Sequence, residues 1–208
     1  MSAWRTSDEY IRDTNLFAER GTDFFAHVSW QHYETLLTLF QGRPRLRMTY
    51  LEGNLEIMTI SLEHEMLKKI IARLLEIYAL ERDIDLFSCG SATFRSETAA
   101  RGLEPDESYC LGSRKDFPDL SVEIVLSSGG IDKLNAYAGL GVQEVWFWQD
   151  HQFRVYHWNL SIGAYEQAEC STLFPRLDLT ILATYIKPEA EPQAIRAFRQ
   201  LLRQSEAT

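Results

Sequence analysis

The chain has 208 residues, 45% of them hydrophobic and 12% aromatic, which suffices for a sizeable core and excludes the disordered and fibrous classes. A formal charge of -9 argues against broad nonspecific nucleic-acid binding and leaves room only for a local basic groove. Cys89, Cys110 and Cys170 show no CxxC spacing and leave an odd thiol, which argues against a disulfide framework and a zinc site and for a reducing compartment.

No basic-then-apolar leader opens the sequence and no apolar run approaches the length of a membrane span, so a soluble cytoplasmic protein without membrane contact is expected. The expected organisation is a single domain over residues 1–208. Residues 1–44 form an N-terminal arm and helix, 45–150 the core, and 151–208 C-terminal strands and a helix. Up to residue 28 there is no periodicity, and a helical or extended arm is expected. Ser29 can cap a helix from Trp30 to Gln41, with Trp30, Tyr33, Leu36, Leu37 and Phe40 at helical spacing and Gly42 then Pro44 ending it. Arg45 to Leu51 and Leu55 to Ile60 alternate around Glu52-Gly53-Asn54, a hairpin signal in which Gly53 can take a positive φ. Ser61 begins the longest helix, to Arg82, with an apolar stripe of Leu67, Ile71, Leu74, Leu75 and Tyr78.

From Leu86 onward the elements are short. Leu86 to Arg95, Leu103 to Leu111 and PDLSVEIV at 118–125 read as three strands. A helix at 131–140, capped by Ser127 or Ser128 and closed by Gly141, leads to a fourth strand at Gln143 to Trp148. Two more strands follow, Phe153 to Trp158 and Ala164 to Ala168. A leucine-rich segment comes next, and past Pro188 and Pro192 a terminal helix presents Ile195, Phe198, Leu201 and Leu202. The fold class is therefore α/β, a mixed central sheet flanked by helices in the order α-β-β-β-α-β, with an N-terminal β-hairpin and a C-terminal strand and helix extension.

In PDLSVEIV the apolar Leu120, Val122 and Ile124 alternate with Asp119, Ser121 and Glu123, so one face is buried and two acids share the other. Those two lie roughly 13 Å apart along a strand, whereas a hard cation wants its oxygens at about 2.0 to 2.6 Å, so one ion cannot take both. Asp106 is the better partner. If 103–111 and 118–125 form a hairpin centred on Arg114-Lys115, facing positions add to 229, and Asp106 faces Glu123 across neighbouring strands. The plainer reading makes these acids a solvated polar face. Lys133, on the helix that follows, is either a surface ion-pair partner or the amine that completes the apparatus for metal-assisted phosphodiester hydrolysis.

At this point the residues resemble a family. Pro105-Asp106 with Glu123 on the next strand resembles the PD-(D/E)XK, or restriction-endonuclease-like, nuclease core. More narrowly, LEGNLEIMTISLEHE, RGLEPDESY and FPDLSVEIVLSSGGIDKLNAYAGLGVQEVWFW together resemble the Uma-two family of endonucleases, over roughly residues 28 to 185. The resemblance implies a DNA substrate and a Mg²⁺ ion, with Mn²⁺ able to substitute, held by Asp106, Glu123 and the backbone carbonyl of Ile124. The superfamily's usual lysine position, two residues after the acid, is Val125 here. The resemblance implies that Lys133 supplies the amine from a migrated position.

His64 matches a histidine at the start of the family's first helix and is either a site residue or a packed core histidine. Glu65 beside it suits a solvated first-turn acid. Asp119 is assigned an orienting or strand-entry role and Tyr137 a packing or supporting one. Phosphate contacts are expected from Lys68, Lys69 and Arg73 on the long helix, or from Arg95, Arg101, Arg114 and Lys115 at strand ends, although most such charges are solvated faces. Trp146, Trp148 and Trp158 can stack on bases or fill the core. Two readings stand: a Mg²⁺-dependent endonuclease, expected to be a homodimer by the symmetry of cutting two strands, or a catalytically drifted nuclease-fold module that binds nucleic acid or protein.

Overall fold

The computed structural model describes residues 21–43, 45–126 and 131–204. Along the chain these form β1 (Thr22–Phe25), α1 (Trp30–Leu39), β2 (Leu46–Leu51), β3 (Asn54–Thr59), α2 (Leu62–Glu81), β4 (Leu86–Ser88), β5 (Phe94–Ser96), β6 (Arg101–Leu103), β7 (Glu107–Leu111) and β8 (Leu120–Ile124). Then come α3 (Lys133–Ala138), β9 (Glu144–Gln149), β10 (Gln152–Asn159), β11 (Ala164–Ala168), α4 (Leu179–Thr184), a 3₁₀ turn at Pro188–Ala190, and α5 (Glu191–Gln204).

Two sheets share the strands. The first runs β1-β3-β2-β6-β5, antiparallel throughout; the second runs β11-β10-β9-β8-β7-β4 and is mixed, with β8 and β9 its parallel pair. A parallel pair needs a crossover connection, and α3 lies on it. The expected order α-β-β-β-α-β appears as α2, β4, β7, β8, α3 and β9, with β5 and β6 inserted into the other sheet.

That insertion corrects two expected strands. Leu86 to Arg95 is two strands in different sheets, and Leu103 to Leu111 breaks at Glu104-Pro105-Asp106, where the chain passes from the first sheet to the second. Pro105 has no N–H to give a ladder, so the passage falls there naturally. The hairpin of β2 and β3 is accordingly the centre of its own sheet rather than an extension. Its connection is tighter than expected: Glu52 and Gly53 alone turn the chain, with φ of 47° and 87°, and Glu52 N–H is tied to Ala100 O at 2.9 Å.

Caps follow the sequence closely. Ser29 accepts from His32 N and Ser61 from His64 N, each at 3.2 Å, so α1 and α2 begin where their hydroxyls can satisfy free amides. The cap of α3 is Asp132, which accepts from Leu134 N at 3.0 Å and Asn135 N at 3.3 Å, and not Ser127 or Ser128, which lie outside the described residues. The leucine-rich segment contains a helix, α4, capped by Asp178. Of the expected arm, residues 1–20 lie outside the described residues and Thr22–Phe25 is a strand, β1, pairing with β3.

The mixed sheet is covered on both faces. Ile70, Ile71, Leu74 and Leu75 of α2 pack on one face with Tyr109, Leu120, Val122 and Trp146, joined by α4 and α5 through Leu182 and Phe198. Each buried aliphatic side chain contributes about 1.5–3 kcal/mol. Ala136, Tyr137 and Leu140 of the α3 segment cover the other face and also meet Phe94 and Leu103 of the first sheet, so α3 is wedged between the sheets. Trp146 and Trp148 are core, at 0% and 3% exposed, which removes them as base-stacking candidates.

Two local locks carry testable consequences. Tyr33 is fully buried, stacked on Tyr50 with centroids 4.8 Å apart, and its ring carbons lie 2.9 Å from where a Cβ on Gly102 would sit. Gly102→Ala therefore overpacks the first sheet and lowers stability by about 1–3 kcal/mol in urea unfolding, and Tyr33→Leu in the same chain recovers part of the loss. At the far end of α2, Arg199 Nε and Arg203 Nε of α5 bond the two oxygens of Glu81 at 2.5 and 2.8 Å. Those bonds, Arg203's first, hold the Glu81 carboxyl down to about 2 from a usual 4.5. A depressed carboxylate stabilises the fold above its unfolded value and loses that contribution as pH falls through its folded value, here between about 4.5 and 2. Glu81→Gln should flatten that part of the acid-unfolding curve and leave neutral-pH activity unchanged.

Candidate active site

Strand β8 is buried along its whole length, and this overturns the plainer reading of its acids as a solvated face: Glu123 is 0%, Asp106 1% and Asp119 4% exposed. Alternation sends Leu120, Val122 and Ile124 toward α2 and leaves Ser121 and Glu123 facing α3. The β7–β8 ladder pairs Glu107 with Val122, Ser108 with Ser121 and Tyr109 with Leu120, the register in which positions add to 229. Asp106 lies one step past the ladder's end, opposite Glu123. Its carboxylate, in place of a backbone carbonyl, takes the next amide: Oδ2 accepts from Ile124 N at 2.8 Å.

Four side chains from three further elements converge around this acid pair. From the first turn of α2, His64 brings Nε2 to 3.0 Å from Asp106 Oδ2, an electrostatic contact whose angle falls outside a directed hydrogen bond. From α3, Lys133 Nζ donates to Glu123 Oε2 at 2.5 Å, and Tyr137, one turn later on the same face, donates its hydroxyl to Glu123 Oε1. From β3 of the other sheet comes Glu56, 2% exposed, which accepts from Ile131 N at 3.1 Å and so fixes the entry to α3.

The electrostatics separate the two acids. Burial works against charge on Asp106, but His64 and Lys133 outweigh it and hold the carboxyl below its usual range. For Glu123, burial dominates over the attraction of Lys133, and the charge of Asp106 adds to it, so its carboxyl lies above the usual range. Burial also opposes charge on Lys133; Glu123 and then Asp106 outweigh it and keep the ammonium above its usual value. Two acids pushed apart around one cation is a pattern of acid–base sites.

The same residues can be weighed as a cation site. Among the described residues, no three His, Cys, Asp or Glu side chains are grouped closely enough to hold a metal unaided. Mg²⁺, however, typically takes one or two carboxylates and completes its shell with water and substrate phosphate. Asp106 Oδ1 is buried and has no hydrogen-bond partner among the described residues, an expensive state for a carboxylate oxygen unless a cation meets it. Asp106 thus offers an open oxygen, while Glu123 would share its oxygens with Lys133 and Tyr137. The residues fit a two-carboxylate site. Cavities of about 470 Å³, lined by Ser61, His64 and Ile124, and about 300 Å³, lined by Glu56, Ile124 and Lys133, flank the pair.

Other nominated residues lie elsewhere. Asp119 sits at the entry of β8, accepting from Leu111 N at 2.7 Å, from Lys115 Nζ at 2.6 Å and from Gln143 Nε2 at 3.1 Å, away from the acid pair. Glu65 is not simply solvated: it pairs at 2.9 Å with Lys68, which is itself buried at 6% exposure. Arg73 meets Glu191 at 2.5 Å, Arg101 meets Glu52 at 3.2 Å, and Arg95 lies 3.6 Å from Glu34. Lys69 lies 3.9 Å from Glu107, and Arg114 is exposed in the turn beside Lys115. These seven cations are therefore spread over several faces, mostly beside carboxylates. Two residues escaped the sequence reading: Glu56 and Arg154, the latter lining the same cavity as Lys133. Glu56 carried one faint signal, an acid set between the core residues Leu55 and Ile57.

A mixed sheet carrying paired acids where β7 meets β8, with a crossover helix facing them, is the restriction-endonuclease-like architecture of the PD-(D/E)XK superfamily. Residues 30–186 match the Uma2 family, described as "Putative restriction endonuclease", and the chain belongs to that family. No functionally curated protein matches the chain. Among the described residues, no helix is long and apolar enough to cross a membrane.

Proposed function

We propose that the chain is a Mg²⁺-dependent DNA endonuclease whose site is Asp106, Glu123 and Lys133, with the carbonyl of Ile124 as a further oxygen toward the ion. The observation that carries the reading is the arrival of Lys133 at 2.5 Å from Glu123 although Val125 occupies the superfamily's lysine position. When bound, the cation neutralises phosphate charge and acidifies water. Lys133 orients the attacking water and stabilises the charge that develops on phosphate oxygen as the water's oxygen bonds to phosphorus, giving up one proton to solvent, and the bond to one ester oxygen breaks, that oxygen taking a proton from solvent and leaving as a hydroxyl. His64 and Ile124 N hold Asp106 in place. Tyr137 holds Glu123 from the other side. Burial of the cluster strengthens each of these interactions relative to water.

One observation favours the drifted-module reading instead: both oxygens of Glu123 are already engaged, by Lys133 and by Tyr137. Cleavage of supercoiled and single-stranded DNA with Mg²⁺, Mn²⁺ or chelator separates the two. Metal-dependent cutting that Asp106→Asn removes supports the nuclease; a chain that binds DNA in every condition and never cuts it supports the module.

A further inference from the structure

The cavity of about 300 Å³ beside Lys133 continues along the sheet away from the acids. The strand register shows how: Glu123 of β8 lies beside Phe147 of β9, which lies beside Arg154 of β10, so one row of side chains leads out of the site. Phe147 and Tyr156 meet edge to face there, with centroids 5.6 Å apart and planes at 88°, and Gln149 and Arg154 line the same space. Arg154 is 39% exposed, and its ion pair with Asp150 is a loose 3.8 Å to a carboxylate that is itself 72% exposed. A half-buried aromatic ring, an amide and a lightly held guanidinium are the groups that recognise a nucleobase by stacking and by hydrogen bonds to its edge.

We infer that this cavity is a nucleobase subsite that receives the base next to the cleaved phosphate, with Tyr156 stacking on it and Gln149 and Arg154 meeting its edge. The inference rests on the nuclease reading for the position of the phosphate. Two strand spacings separate β8 from β10, roughly 10 Å, about the reach of one nucleotide from the acid pair. The volume sits at the lower end of ligand pockets, which suits one base and excludes a duplex. The chain would thus sample a base that has left its stack, at the step where it positions the phosphate.

The test uses the full chain in Ca²⁺, with fluorescence anisotropy on a labelled oligonucleotide and on the same strand carrying abasic sites. Tyr156→Leu should weaken binding to the intact strand on the order of tenfold, since it removes the ring on which the base stacks, and should leave abasic binding unchanged. Tyr156→Phe should restore intact-strand binding, which separates stacking from folding. Equal losses on both strands, or no loss on either, overturn the subsite. A wild-type chain that cuts DNA while Tyr156→Leu behaves identically sinks the subsite alone; a wild-type chain that neither binds nor cuts removes the nuclease reading and the subsite with it.

Discussion

Asp106→Asn should reduce Mg²⁺-dependent cleavage on the order of a thousandfold while the chain stays folded. The first half follows from charge. A metal centre contributes several kcal/mol to phosphodiester hydrolysis, and about 4 kcal/mol corresponds to roughly 10³ in rate. The carboxamide removes the anion that the ion would meet at the buried Oδ1. The second half follows from geometry: asparagine keeps an oxygen for the Ile124 amide and relieves the repulsion between Asp106 and Glu123, so the stability change should stay within about 1–2 kcal/mol. Gel assays of supercoiled DNA read the first and urea unfolding the second. Undiminished cutting by the variant would remove Asp106 from the mechanism.

Lys133→Met should lower stability by about 3–5 kcal/mol, because it leaves Glu123, which is fully buried, without its cation. Glu123→Gln together with Lys133→Met should recover most of that loss, and a double-mutant cycle in urea measures the coupling. The same logic makes Glu123→Ala a poor test of catalysis, since it strands Lys133 and the Tyr137 hydroxyl at once. Millimolar Mg²⁺ gives a second readout. If the acids bind the ion, Mg²⁺ should raise the melting temperature of Lys133→Met more than that of the wild type, the ion taking the place of the lost ammonium. An unchanged melting temperature in both chains would argue against a cation at the pair.

What could be read from the sequence was local. The pairing of Asp106 with Glu123 was accessible because alternation in PDLSVEIV and the Arg114-Lys115 turn fix one register, and the ladder has it. Ser29 and Ser61 announced their helices by the same kind of short-range chemistry. Lys133 stood open in the sequence between a surface ion pair and a partner of those acids; the resemblance to the family, which the match over residues 30–186 bears out, implied the second, and the ammonium does reach Glu123. Whatever depended on distant pairing was hidden. Nothing around Glu56 says that β3 of one sheet will face a helix laid on the other. The break at Pro105 was visible as a proline yet its consequence, a change of sheet, was not. The basic residues looked available because sequence shows charges without their partners; Arg73 with Glu191 lies 118 positions apart.

The wedge of α3 between the two sheets also sets a timetable. The ribosome releases the acids and the lysine before residue 134, but α3 rests on Val145 of β9 and on Leu103 and Phe94 of the first sheet, and β8 pairs with β9. A nascent chain stopped short of Glu144 therefore holds the acids and the lysine but lacks the strand beside β8 and part of the surface on which α3 rests. The cluster is therefore complete only after the parallel pairing of β8 with β9 has closed, a step that waits on the crossover through α3.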